Sequence, residues 1–285
     1  DHQTLHDVML GEVWLCSGQS NMEWSPANGI TDQENAIATA NHPQMRIFSL
    51  NKQASMTPQD DCNAEWEVIT PEVMRKRSAV AYFFGKHLQD NLDVPIGLIV
   101  SAWGGTGAEV WIPEGDGTIS KTVDGSLVEY EWWPHQPSVL YNSMIHPLMP
   151  YGVAGAIWYQ GESNRDYPES YKFLMEELIK SWRKGFQRDL PFYIVQIAPY
   201  NYNSANNGPA LISEAQEQIV HEVSRTGLVV TNDIGDLNNI HPPKKQEVGV
   251  RLANLALGEN YNALTEGYLS PCLKDATVDK KKGIL

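Results

Sequence analysis

The chain has 285 residues, 42% hydrophobic and 20% charged, an ordinary globular balance able to bury a sizeable core in one large domain or two smaller ones. Its formal charge of −14 repels phosphate backbones, which argues against nucleic acid and anionic membrane surfaces as partners. No apolar run approaches the roughly 20 residues of a membrane span, and three scattered cysteines are too few for a disulfide framework or a zinc site.

The opening stretch, "DHQTLHDVMLGEVW", has neither a basic n-region nor an apolar h-region, so it reads as no signal peptide. It and the closing "CLKDATVDKKKGIL" both read as cuts through something longer. Between them, apolar runs of strand length recur at 11–17, 45–50, 96–102, 153–159, 192–198 and 227–233. Most are continuously apolar rather than alternating, which predicts strands buried on both faces of a parallel sheet. Cys16 sits inside the first of them as a small hydrophobe. Helical period runs through 78–92, 170–186, 212–225 and 245–258, the last with Gly258 placed as a C-cap. Strands alternating with helices predict a doubly wound α/β domain. Residues 51–70 and 111–140, rich in Pro, Gly, Trp and acids, read as long loops over one face.

Ligands of open α/β sheets bind beyond the carboxyl ends of the strands. After the first strand come Gly18, Gln19 and Ser20, and after the third Trp103, Gly104, Gly105 and Thr106. Gln160, Gly161, Glu162, Ser163 and Asn164 follow the fourth, and Gly235, Asp236, Asn238, Asn239 and His241 the last. These polar clusters fall on one edge of the predicted sheet. Ser20 is open to two readings there, a helix N-cap or a nucleophile. The G-x-S-x-G elbow is not met, because Met22 stands at its last glycine. A nucleophile needs a base. His87 and His221 lie in predicted helices, His2, His6 and His42 in the leading segment or a loop, and His135 in the Trp-rich loop. His146 and His241 share the string Ile-His-Pro, but His146 precedes a strand whereas His241 follows one, so His241 is preferred. The pair Gly104–Gly105 is either a tight turn or a source of N–H donors for an oxyanion. Trp24, Trp103, Trp111, Trp132, Trp133 and Trp158 are either sugar-stacking faces or core.

Together, "GEVWLCSGQSNMEW", "VSAWGGTGAEVW", "GAIWYQGESN" and "DIGDLNNIHPPKKQEVGVRLA" resemble the SGNH-hydrolase superfamily and, within it, the sialate O-acetylesterase family. The strings occur in family order. The resemblance implies a three-layer α/β/α, flavodoxin-like domain with a mainly parallel central sheet over 8–265. Residues 1–7 and 266–285 are then remnants of flanking segments or β-rich domains. It implies Ser20 as nucleophile, His241 as general base, and an oxyanion hole of the Ser20 and Gly105 N–H groups with the Gln160 amide. Gln19, Trp103, Glu162, Asn164 and Arg165 would contact substrate, Arg165 being the basic group that an anionic sialic acid would need. The superfamily commonly carries an Asp three residues before the His, and close relatives two before; Asn238 and Asn239 stand here. Asp236 is therefore taken as the triad acid, with Asp233 behind it and Glu162 across the site as alternatives, and a Ser–His dyad as the rival. The expected reaction is removal of O-acetyl groups from acetylated carbohydrates through an acetyl-enzyme, with no metal or organic cofactor, in an exported protein. A polysaccharide deacetylase acting on acetylated xylan is the alternative enzyme. A carbohydrate-binding protein on a degenerate scaffold is the alternative of another class. Flavodoxin-like cofactor binding is disfavoured, since no G-x-G-x-x-G follows the first strand.

Overall fold

The computed structural model describes residues 4, 6–115, 117–123, 133–202 and 207–271. Trp132 and most of the 1–7 and 266–285 segments lie outside the described residues. The strands are β1 (Glu12–Gly18), β2 (His42–Ser49), β3 (Trp66–Ile69), β4 (Ile96–Ala102), β5 (Gly155–Tyr159), β6 (Phe192–Val195) and β7 (Thr226–Val229). They form one sheet in the order β3-β2-β4-β1-β5-β6-β7, in which only the β2–β3 pair is antiparallel. The helices are α1 (Ser20–Glu23), α2 (Gln33–Ala38), α3 (Pro71–Lys76), α4 (Ala79–Leu92), α5 (Thr118–Thr122), α6 (Tyr171–Gly185), α7 (Gly208–Glu222) and α8 (Lys245–Glu259).

Alternation along the central strands divides the core between two helical layers. Trp14 and Cys16 of β1, with Ile157 and Tyr159 of β5, pack under α4 and α8. Leu15, Ala156 and Trp158 point the other way, under α6 and α7. The architecture is thus the expected three-layer α/β/α sandwich. Trp111 and Trp158 are fully buried, which settles both as core residues.

Several boundaries differ from the sequence expectation. β3 lies inside the stretch read as loop, because an edge strand of four residues carries no apolar run to reveal it. β6 and β7 stop at Val195 and Val229, short of the ends of their apolar runs. α7 begins at Gly208 and ends at Glu222, earlier than the period indicated. Gly258 is no C-cap either: α8 runs on to Glu259 and is capped by Asn260. The glycine is required by a neighbour, since a Cβ at 258 would fall 2.5 Å from the Tyr268 ring.

β1 lies between β4 and β5, so the connections from it and from β4 leave in opposite directions across the sheet. A crevice opens at that switch point. The ends of β1, β4 and β5 meet there in register, Gly18 opposite Ala102 on one side and Tyr159 on the other.

Candidate active site

The chain leaves β1 through Gly18 at φ +137°, where a Cβ would fall 2.2 Å from the Tyr159 carbonyl oxygen. Gln19 then takes the N-cap position of α1 and Ser20 the first helical one, with no side-chain cap hydrogen bond. The Ser20 hydroxyl is therefore free of the capping duty. Its Oγ lies 2.8 Å from His241 Nε2. The short helix is held against α4, whose N-cap Ser78 donates to the Met22 carbonyl at 2.6 Å while Ala79 N donates to the Trp24 carbonyl at 2.9 Å. His146 takes no part: its Nδ1 lies 3.0 Å from the Gln59 carbonyl.

His241 sits in the loop between β7 and α8, its backbone N–H donating to Asn239 Oδ1 at 2.9 Å. The Trp24 indole stacks on the imidazole, centroids 4.0 Å apart and planes 15° from parallel. Burial, and then the nearby Lys245 charge, lower the His241 pKa from its ordinary value. That favours the neutral ring a base requires. Asp236 is not brought to the ring. Its Oδ1 accepts the Asn238 backbone N–H at 2.9 Å, closing a turn. Among the described residues no carboxylate is hydrogen-bonded to the imidazole.

The groups expected to hold an oxyanion are differently placed. Gly105, at φ +81°, and Ser20 both present backbone N–H groups with no hydrogen-bond acceptor among the described residues. The neighbouring Gly104 N–H is taken by Glu23 Oε2 at 2.9 Å. Gln160 is turned away from the crevice. It is fully buried, and its amide donates to Asn164 Oδ1 at 2.7 Å and the Thr106 carbonyl at 3.2 Å. Asn164 is spent likewise, donating to Glu109 Oε2 at 2.9 Å and accepting from Ala108 N at 3.0 Å. These two side chains brace the loops and do not line the pocket beside Ser20. Gln19 does face the pocket. Its Oε1 accepts the Gly161 and Ser163 N–H groups, both at 3.3 Å, which leaves its NH₂ as a side-chain donor beside Ser20.

Beneath the Ser–His pair lies a junction that sequence reasoning missed. The fully buried Asn21 donates to Glu162 Oε1 at 2.8 Å and to the Ile240 carbonyl at 3.0 Å, and its Oδ1 accepts from Lys245 Nζ. One side chain thus ties the loops after β1, β5 and β7 together. Lys245 is only 1% exposed. Burial pushes its pKa down to about 7 against the opposing pull of Glu162. Burial likewise raises the Glu162 carboxyl, with hydrogen bonds and Lys245 acting in the other direction.

Above the pair, a pocket of about 600 Å³ is lined by Ser20, His241, Gly105, Trp133, Arg165 and Tyr167, among others. Arg165 donates to the Glu162 carbonyl at 2.8 Å and lies 5.1 Å over the Tyr202 ring. Glu109 and Glu162 reach the same wall, and burial raises the Glu109 pKa. Trp103 is half-buried outside this lining, with Lys52 Nζ 5.7 Å from its ring centroid. Among the described residues no group of three or more His, Cys, Asp or Glu side chains could hold a metal ion.

A doubly wound three-layer sheet with a serine–histidine pair at its switch point defines a domain of the SGNH-hydrolase type. Residues 10–258 match the profile described as carbohydrate esterase, sialic acid-specific acetylesterase, and the chain belongs to that family. The sialate O-acetylesterases of Pongo abelii and Homo sapiens are each 34% identical over 93% of this chain. The chain spans 57% of the length of each of those relatives. A solved carbohydrate acetylesterase from Xanthomonas citri is 37% identical and superposes with a TM-score of 0.83, over 94% of this chain and 60% of its own.

Proposed function

We propose that the protein is a serine esterase that removes O-acetyl groups from carbohydrates. The observation that carries this reading is the 2.8 Å approach of Ser20 Oγ to His241 Nε2 beside two backbone N–H groups that meet no acceptor among the described residues. His241 Nε2 takes the Ser20 proton as Oγ bonds to the acetyl carbonyl carbon. The oxyanion forms against the Ser20 and Gly105 N–H groups, with the Gln19 amide as the side-chain donor in place of Gln160. The C–O bond to the sugar then breaks, and the sugar oxygen leaves with the proton from His241. Water, deprotonated by the same ring, releases acetate and restores Ser20. The base works as one member of a Ser–His dyad.

Arg165 supports an anionic sugar as substrate. Arg165 lines the pocket, where its guanidinium would meet the carboxylate of a sialic acid. The family's named specificity and the names of the sialate O-acetylesterase relatives support the same class, while the Xanthomonas citri structure is named only as a carbohydrate acetylesterase. Export from the cytoplasm belongs to this proposal and is supported by family resemblance alone.

The direct test is covalent labelling with a fluorophosphonate, followed by peptide mass mapping. Modification confined to Ser20 and abolished in His241→Ala is expected. Failure to label, or labelling at another residue, would refute the nucleophile.

A further inference from the structure

A dyad raises the question of what performs the two duties of a triad acid, which are orienting the imidazole and stabilising the imidazolium that forms in the transition state. We propose that Trp24 performs both, as a positioning residue whose indole face fixes the His241 ring plane and whose π-electrons stabilise its cation. The inference rests on the reading of Ser20 and His241 as nucleophile and base.

Three observations carry it. The first is the stacking geometry. At 4.0 Å between centroids and 15° between planes, the two rings overlap almost face to face. Neutral aromatic pairs favour offset or edge-on arrangements, whereas a cation favours the ring face. The second is that Trp24 is itself held still. Its Nε1 donates to the Gly29 carbonyl at 2.9 Å, its N–H to the Ser20 carbonyl at 2.9 Å, and its carbonyl accepts from Ala79 N at 2.9 Å. The indole is therefore referenced to the same short helix that carries the nucleophile.

The third is the charge around the ring. Lys245, at the start of α8, opposes protonation of the imidazole. Asp236, on the same loop, is occupied by Asn238. Glu162, after β5, is engaged by Asn21. Glu23, beside Trp24, is paired with Lys52 and the Gly104 N–H. Lys52, His135 and Arg165 line the pocket as further groups of potential positive charge. Among the described residues no acid is hydrogen-bonded to the ring, and the indole face that stacks on it is a group that prefers it charged. A cation–π contact strengthens only as the ring gains its proton. It therefore favours the transition state over the ground state, which is what raises kcat rather than binding.

The test replaces Trp24 with a series of tryptophans carrying one to four ring fluorines, inserted at that position alone. Fluorination drains the π-face while keeping size and packing. Three quantities are read: kcat and KM on 4-nitrophenyl acetate, and the His241 pKa by NMR titration. Expected is a stepwise fall in kcat, roughly three- to thirtyfold across the series, with KM unchanged. The His241 pKa should fall in parallel, by about half a pH unit or more. A flat kcat and a flat titration would overturn the proposal and leave Trp24 as packing. The titration does not depend on turnover. If Ser20-dependent hydrolysis were absent altogether, a pKa that falls with fluorination would still uphold the cation–π contact, and a constant pKa would still sink it.

Discussion

As the proposed base, His241 must be neutral to accept the Ser20 proton. Burial and the Lys245 charge both lower its pKa from the ordinary 6.5, so the ring stays deprotonated further into acid than a free imidazole does. A base is lost as pH falls through its own pKa. The acid limb of kcat/KM on a neutral acetate ester is therefore expected below pH 6.5, and a limb above it would show that stabilisation of the imidazolium outweighs burial and the Lys245 charge. Asp236 gives a second prediction at this scale. Removing a true triad acid costs about 10⁴-fold in kcat. Because the Asp236 carboxylate closes a turn onto Asn238, Asp236→Ala should cost only a lost turn contact of about 1 kcal/mol and less than about tenfold in kcat. Steady-state kinetics of the purified variant decide the matter; a loss of about a thousandfold would restore Asp236 as the acid. The proximity of Ser20 and His241 was legible because each follows a strand at the same end of the sheet, whereas the Ile-His-Pro string alone is shared with His146. Gln160 could not be excluded, since its residue type is silent on which way a buried amide turns. Lys245 was invisible for a related reason: two adjacent lysines at the start of a helix read as solvent-facing, and only the fold shows that one of them is buried.

At the scale of elements, α4 and α8 pack side by side over one face of the sheet, and their closeness depends on Gly249. A Cβ there would fall 2.6 Å from Phe83 Cβ, 2.8 Å from the Phe84 backbone nitrogen and 2.9 Å from the Val80 carbonyl oxygen. Backbone atoms cannot step aside, so the helices would have to part. Gly249→Ala gains about 1 kcal/mol of helix propensity and loses about 1–3 kcal/mol to overpacking. A net destabilisation on the order of 1 kcal/mol is expected, seen as a lower urea midpoint at unchanged slope. Stabilisation would show that the two helices are not in this contact. The parallel strands were legible because burial on both faces leaves continuous apolar runs. β3 was not, because it pairs along one edge only and leaves Trp66 and Val68 exposed. The loop that delivers His241 is longer than the apolar pattern suggested. β7 ends at Val229, where its pairing with β6 ends, although Val230 carries the apolar run one residue further.

For the whole molecule, the dominant long-range term is its charge of −14. Such a field opposes the approach of an anionic sugar, and salt screens it over a Debye length of about 10 Å at 0.1 M. Arg165 acts at contact range and is screened less. Raising ionic strength from about 0.01 to 0.2 M should then raise kcat/KM for an O-acetylated sialic acid by about twofold or more while leaving a neutral acetate ester unaffected. Equal salt responses for the two substrates would argue for a neutral acetylated sugar. The fold class followed from strand and helix alternation alone. Its assignment to a family needed the four sequence strings, which fall on the loops at one sheet edge.

The decisive measurement is hydrolysis of 4-nitrophenyl acetate by the wild type beside Ser20→Ala and His241→Ala, with folding checked by circular dichroism. A Ser–His esterase requires wild-type turnover that both substitutions reduce at least about a hundredfold, since members of a nucleophile–base pair act as one unit. Turnover that survives Ser20→Ala would contradict the mechanism. A folded wild type that hydrolyses neither this ester nor any acetylated sugar would contradict the enzyme itself and leave a carbohydrate-binding scaffold in its place.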